Sequence, residues 1–127
     1  MVGRFFLLLL IQLCLSQAVV DRETAERVVV ENTRRHSERM RKRYWILSFL
    51  YNHRTETSSS LHAISRAVEE RMDLTVRDQD IRDLIDELVS RRMIVRNMKA
   101  DSNVDYQISD FGIEWWEKHG EAMLQIM

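Results

Sequence analysis

Apolar side chains fall at Val76, Ile81, Leu84, Ile85, Leu88 and Val89, a three-four spacing that draws one stripe along a helix. The pattern predicts a helix over Val76 to Leu88, with Thr75 as its N-cap and Asp78 three residues on in a capping-box position. Beyond Ser90 the period changes. Met93, Ile94 and Val95 form a β-favouring run, Asn97 to Asn103 a polar tip, and Val104, Tyr106 and Ile108 alternate with polar residues, so a two-stranded hairpin follows the helix directly. Upstream, Leu61, Ile64, Ala67, Val68 and Met72 repeat at helical spacing behind the polar connection Arg54 to Ser60, whose last serine is placed to cap them. Arg71 to Thr75 then reads as the turn between two helices. Tyr44 to about His53 carries another apolar helix, with Ile46, Leu47 and Leu50 facing inward and Ser37 or Thr33 as its cap.

After the hairpin the chain returns to helix. Phe111, Trp115, Ala122 and Ile126 share one side of it, while Ile113, Trp116, Leu124 and Met127 spread onto another. Two apolar sides exceed what one small domain covers, so Trp115, Trp116, Leu124 and Met127 are the candidate surface of a homodimer. The alternative, Trp115 over the core and Trp116 flat on the exterior, stays open.

The other end of the chain is patterned differently. Phe5 to Leu15 is apolar all round, preceded by Arg4 and followed by Ser16-Gln17-Ala18, the layout of a secretory signal. A membrane anchor is the competing reading, although the run falls short of the roughly 20 residues a spanning helix needs. The basic cluster on its C-terminal side would hold the following domain in the cytoplasm. Cleaved signal, anchor, and a true start nearer Val28 to Val30 are all compatible with the residues. Asp21 to His36 has high helix propensity and little apolar content, as a solvated helical linker does. The expected organisation is a hydrophobic leader over 1–20, a helical linker over 21–36 and a domain over 37–127.

A chain of 127 residues suffices for one such domain with a single core. Its formal net charge of −1 conceals an asymmetry: residues 1–60 hold ten Lys or Arg against six acids, residues 61–127 nine against fourteen. The positive excess lies in Arg34, Arg35, Arg39, Arg41, Lys42 and Arg43, a cluster able to meet phosphates or to form a solvated helix face.

A helix feeding directly into a hairpin resembles the second half of a winged helix-turn-helix domain. The stretch Tyr106-Gln107-Ile108-Ser109-Asp110-Phe111-Gly112 is similar to the Y-x-L-T-x-x-G segment by which many winged-helix regulators leave the wing for a last helix. Ile46-Leu47-Ser48-Phe49-Leu50 and Val76-Arg77-Asp78-Gln79-Asp80-Ile81-Arg82 further resemble the short winged-helix proteins of Mu-like prophages. The likeness covers roughly Arg43 to Glu117. It implies a mainly α fold with a small β-hairpin wing, carrying an N-terminal extension and a C-terminal helix. It also implies double-stranded DNA as partner and transcriptional regulation as function. Arg77, Gln79 and Arg82 would meet base edges or nearby phosphates, Arg96 and Lys99 would meet phosphates from the wing, and Arg39, Arg41 and Arg43 would add backbone contacts. Many relatives of this fold have a glycine at the end of the third helix; Arg92 stands near that place here. The rival reading, which gains weight from the acidic third helix, is a protein-interaction winged helix that binds no nucleic acid, with or without a membrane tether.

Catalytic chemistry finds no support. With only Gly3, Gly112 and Gly120 there is no glycine-rich phosphate loop, so no nucleotide cofactor is expected. His36, His53, His62 and His119 fall at no metal-ligand spacing, and Cys14 is the sole cysteine, so no metal site is expected. Ser58, Ser59 and Ser60 lie in a polar connection that shapes no oxyanion site. The chain reads as a non-enzyme.

Overall fold

The computed structural model describes the backbone of residues 2–126 and the side chains of residues 24–125. The leader side chains at 1–20, and those of Ile126 and Met127, lie outside the described residues. Elements follow in the order α1 (Val2–Asn52), β1 (Ser59–Ser60), α2 (Leu61–Met72), α3 (Asp78–Ser90), β2 (Ile94–Met98), β3 (Val104–Ile108) and α4 (Asp110–Ile126). The chain divides into two compact units, Met1–His36 and Ser37–Met127.

Among the described side chains of the first unit, residues 24–36, the helix is solvated, with Val28, Val29 and Val30 all exposed. No cap interrupts α1 at Thr33 or Ser37, contrary to the expectation from sequence. Between Arg4 and Asn52 there is neither proline nor glycine, and a lone hydroxyl residue does not end a run of good helix formers. The Thr33 hydroxyl instead donates back to the Val29 carbonyl at 2.8 Å, the ordinary mid-helix solution. Glu31 takes Arg34 and Arg35 as helical partners at 2.6 and 3.2 Å.

The second unit is a helical layer closed by a small antiparallel sheet. Ile46, Leu47 and Leu50 of α1, Ile64 and Val68 of α2, and Ile81, Ile85 and Leu88 of α3 are fully or almost fully buried together, as their spacing predicts. Met93, Ile94, Tyr106 and Ile108 close the core from the sheet side. The strand order is β1-β3-β2, with Ile94 opposite Ile108, Arg96 opposite Tyr106 and Met98 opposite Val104. The third strand is one the sequence does not announce. Ser59 and Ser60, expected as loop, pair with Tyr106 and Asp105, and two residues are too few to carry an alternating pattern.

Caps and turns explain the motifs. Ser60 is the N-cap of α2, its hydroxyl accepting from the Ala63 N–H at 3.2 Å, and Asp73 ends that helix in the left-handed region at φ 53°. The Glu69 carboxylate accepts from the Val76 N–H at 3.0 Å, which pins the turn of the helix-turn-helix. Because Val76 is held there, α3 opens at Asp78 rather than Val76. Its N-cap is Arg77, with no side-chain cap, and Thr75 plays no capping part. At the other end, Arg92 N–H donates to Val89 at 2.9 Å and Met93 N–H to Leu88 at 3.0 Å, the paired bonds of a Schellman motif, with Arg92 at φ 64°. Thus an arginine occupies the left-handed position that favours glycine. Ser109 joins hairpin to α4: its N–H donates to the Met93 carbonyl, its hydroxyl donates to the Arg92 carbonyl at 2.6 Å, and the same oxygen accepts from Gly112 N–H at 2.9 Å. A Cβ on Gly112 would lie 2.2 Å from the Met93 carbonyl oxygen, so only glycine permits α4 to approach β2 this closely.

Candidate nucleic-acid interface

The exposed side of α3 and the inner edge of the β2–β3 hairpin border one open groove of about 680 Å³. Asp78, Arg82, Asp86, Arg96, Lys99 and Asp105 all line it. The structure therefore brings Arg82, Arg96 and Lys99 together, and each is exposed enough to meet a ligand. Arg77 and Gln79 sit at the exposed start of α3.

Nearly every charge on this surface is already engaged by another. Arg77 bonds Asp80 at 3.3 Å and Gln79 bonds Asp83 at 2.8 Å, both within the first turns of α3. Arg96 reaches from β2 to the Asp86 carboxylate. Asp78 is shared by His62 at 3.8 Å and Arg66 at 3.7 Å, both from α2. Asp105 is buried in the hairpin, where it accepts from Lys99 Nζ at 2.8 Å and from Ser58 Oγ at 3.2 Å. That hydrogen bond, reinforced by the charge of Asp105, holds the Lys99 ammonium above its usual range. Arg82 differs: among the described residues it has neither an ion pair nor a hydrogen bond.

The basic turn of α1 is split by its environment. Arg39 and Arg41 are exposed, while Arg43 is turned inward, its Nη2 lying 2.9 and 2.8 Å from the two oxygens of Glu87 on α3. Arg91 reaches the same carboxylate at 3.1 Å. The Arg43 hydrogen bond holds Glu87 below the usual carboxylate range, against the opposing effect of its partial burial.

The candidate dimer residues of α4 are also divided. Trp116 is half-buried and packs at 5.0 Å from Tyr44 and 6.1 Å from Tyr51, with its ring against Gly120. Trp115 is half-buried beside His119 at 5.1 Å. Leu124 is exposed, and Met127 is outside the described residues. No group of three or more potential metal ligands occurs among the described residues, and none of their helices is long and apolar enough to cross a membrane.

The cations of the groove are legible in the sequence, and their partners only in part. Arg77–Asp80 and Gln79–Asp83 are legible as helical i,i+3 and i,i+4 pairs. Arg43–Glu87 and Lys99–Asp105 join different elements, and no local signal marks them.

The helix-turn-helix, the hairpin packed after α3 and the closing helix together define a winged helix-turn-helix fold. No protein-family model and no curated protein matches the chain. Solved structures do. The chain is similar to MepR, described as a transcription regulator of the Staphylococcus aureus multidrug efflux pump MepA, with TM-score 0.54 and 14% identity over 76% of each chain. It is similar to S. aureus MepR in a DNA complex, with TM-score 0.53 and 14% identity over 80% of this chain and 82% of that one. The match to S. aureus MepR bound to ethidium bromide has TM-score 0.50 and 17% identity over 68% of this chain, and spans 57% of that chain. At such identities the likeness is one of fold.

Proposed function

We propose that this chain is a non-catalytic winged-helix protein that binds double-stranded DNA and regulates transcription in the cytoplasm, using residues 37–127 as the binding module. The observation that carries the reading is the common groove of α3 and the hairpin. A helix exposed along one side, flanked by a ribbon bearing Arg96 and Lys99, has the dimensions to enter a major groove while the ribbon meets the adjoining backbone. Arg77, Gln79 and Arg82 would face the bases or the phosphates beside them. Arg96, through the donors that Asp86 leaves free, and Lys99, whose ammonium has donors beyond the one given to Asp105, would bind phosphate while keeping their carboxylate partners. Arg39 and Arg41 would add backbone contacts, and Arg43 would serve by holding α1 against α3. The Val76 to Arg82 segment also supports a place near the Mu-like prophage proteins it resembles. Pairing of two copies through Trp115, Trp116, Leu124 and Met127 would present two reading helices; Trp116→Glu should then halve the mass in sedimentation.

A second reading is favoured by one specific observation: α3 presents Asp78, Asp80, Asp83 and Asp86 against Arg82 and the N-cap Arg77, a face that phosphates repel. It makes the chain a protein-interaction module, with a membrane tether through residues 1–20. A mobility-shift assay with labelled duplex at about 50 and 200 mM salt separates the two. Binding at low salt that weakens steeply at high salt supports DNA. No shift at low salt supports the protein partner.

A further inference from the structure

Arg82 occupies an unusual electrostatic position. On an α-helix its nearest surface neighbours include the residues four before and four after it, here Asp78 and Asp86. Either carboxylate could hold a guanidinium at that spacing. Neither does: Asp86 is bonded from another element, and Asp78 faces the side chains of a third. Asp78 is approached by Arg66 and His62 from α2, and Asp86 is bonded by Arg96 from β2. The third carboxylate of the groove, Asp105, is taken by Lys99 and Ser58. Arg82 is left exposed in the groove with all its donors available.

From this arrangement we infer that Arg82 is the specificity-determining residue of the face, taking one guanine through its fork of donors, and that Arg96 is a positioning residue that keeps it free. The inference rests on the DNA-binding reading and deepens it. A guanidinium can give two parallel hydrogen bonds to the O6 and N7 acceptors of guanine only when no carboxylate already holds them. Arg77 and Gln79 are engaged at 3.3 and 2.8 Å by Asp80 and Asp83, so they start from an occupied state. Arg96 thus has a second role besides phosphate: by occupying Asp86 it denies that carboxylate to Arg82. Arg66 is bonded to Glu69 at 2.6 Å and only faces Asp78, at 3.7 Å, so the hold on Arg82's second neighbour is electrostatic alone.

The test is selection of duplexes from a randomised library by the full chain, followed by sequencing, which reads base preference separately from affinity. The parent should enrich a guanine at one position. Arg82→Lys keeps the charge but loses the fork, and should lower that preference about tenfold with little change in the salt dependence of binding. Arg96→Ala should lower the same preference, because Asp86 is released to capture Arg82. Adding Asp86→Asn to Arg96→Ala should restore it, which a lost phosphate contact alone would not do. All three residues are exposed, so folding is not at stake. If the parent selects a sequence and Arg82→Lys selects it equally well, Arg82 is not the reader and the DNA reading stands. If Arg96→Ala leaves the preference intact, or Asp86→Asn fails to restore it, the positioning role is overturned. A parent that enriches no duplex overturns this inference together with the DNA reading.

Discussion

Arg43 on α1 places Nη2 2.9 Å from Oε1 and 2.8 Å from Oε2 of Glu87 on α3, a pair 44 residues apart in the chain and largely shielded from solvent. It ties the first helix of the second unit to the helix proposed to read DNA. The Arg43 Nε is buried without a partner, so compensation for this guanidinium comes through Nη2. Glu87→Gln should therefore cost about 2 kcal/mol at neutral pH, more than an exposed pair contributes. The sign with pH follows from the depressed carboxyl of Glu87. Its contribution is complete above the ordinary value of 4.5 and is lost as pH falls through the lower folded value. Thermal melts should show the parent well above Glu87→Gln at pH 7 and the two converging under acid conditions. A constant gap across that range would contradict the linkage.

Arg92 holds a left-handed backbone conformation at φ 64° in the Schellman motif that ends α3. An L side chain there costs roughly 1 kcal/mol that glycine does not. Arg92→Gly should accordingly stabilise the fold by about 1 kcal/mol despite removing a charge, a rise in Tm of a few degrees by calorimetry. A lowered Tm would mean that the side chain contributes more than its backbone costs.

Gly112 makes the opposite case. An added methyl would meet the Met93 carbonyl oxygen at 2.2 Å and Ile108 Cγ1 at 2.8 Å, and a backbone carbonyl already bonded to Ser109 N–H has little room to yield. Gly112→Ala should destabilise by about 2–3 kcal/mol in denaturant unfolding, with an unchanged transition slope. A cost below the uncertainty of the measurement would show that α4 shifts freely on the hairpin.

These positions show where the sequence is informative. The stripe Ile81, Leu84, Ile85 and Leu88 predicted α3 because burial of one helical side imposes a period that local residues display. Ser60 likewise signalled the start of α2 through its place before an apolar run. Arg92 stood out because the winged-helix likeness wants glycine there, and its positive φ gives that departure a physical meaning. α3 starts two residues later than its pattern predicts because Glu69, seven residues earlier, claims the Val76 N–H. The caps expected in α1 failed for the reverse reason, since Thr33 and Ser37 had no turn or breaker to act with. In the groove, the cations Arg82, Arg96 and Lys99 were legible, whereas Asp105, buried within the hairpin and binding Lys99, belongs to tertiary structure and leaves no periodic trace.

The acidity of α3 should be measurable as a brake on non-specific affinity. Asp80 and Asp83 restrain Arg77 and Gln79 and repel phosphates near them. Asp80→Asn with Asp83→Asn should raise affinity for arbitrary duplex severalfold at low salt, an advantage that fades as screening increases. Release of Arg77 onto a phosphate would steepen the logarithmic salt slope by about one unit, seen in anisotropy titrations over several salt concentrations. Unchanged affinity and slope would place Asp80 and Asp83 away from the backbone.

If α3 and the hairpin form the DNA-binding face, hydrogen exchange of the full chain with and without duplex registers it residue by residue. Amides in Asp78–Ser90 and in the hairpin from Ile94 to Ile108 should gain protection at low salt, together with those near Arg39 and Arg41, while the exposed side of α4 stays unchanged. Protection confined to α1 or α4, or an exchange pattern identical in the presence of duplex, would show that α3 and the hairpin are not where DNA binds.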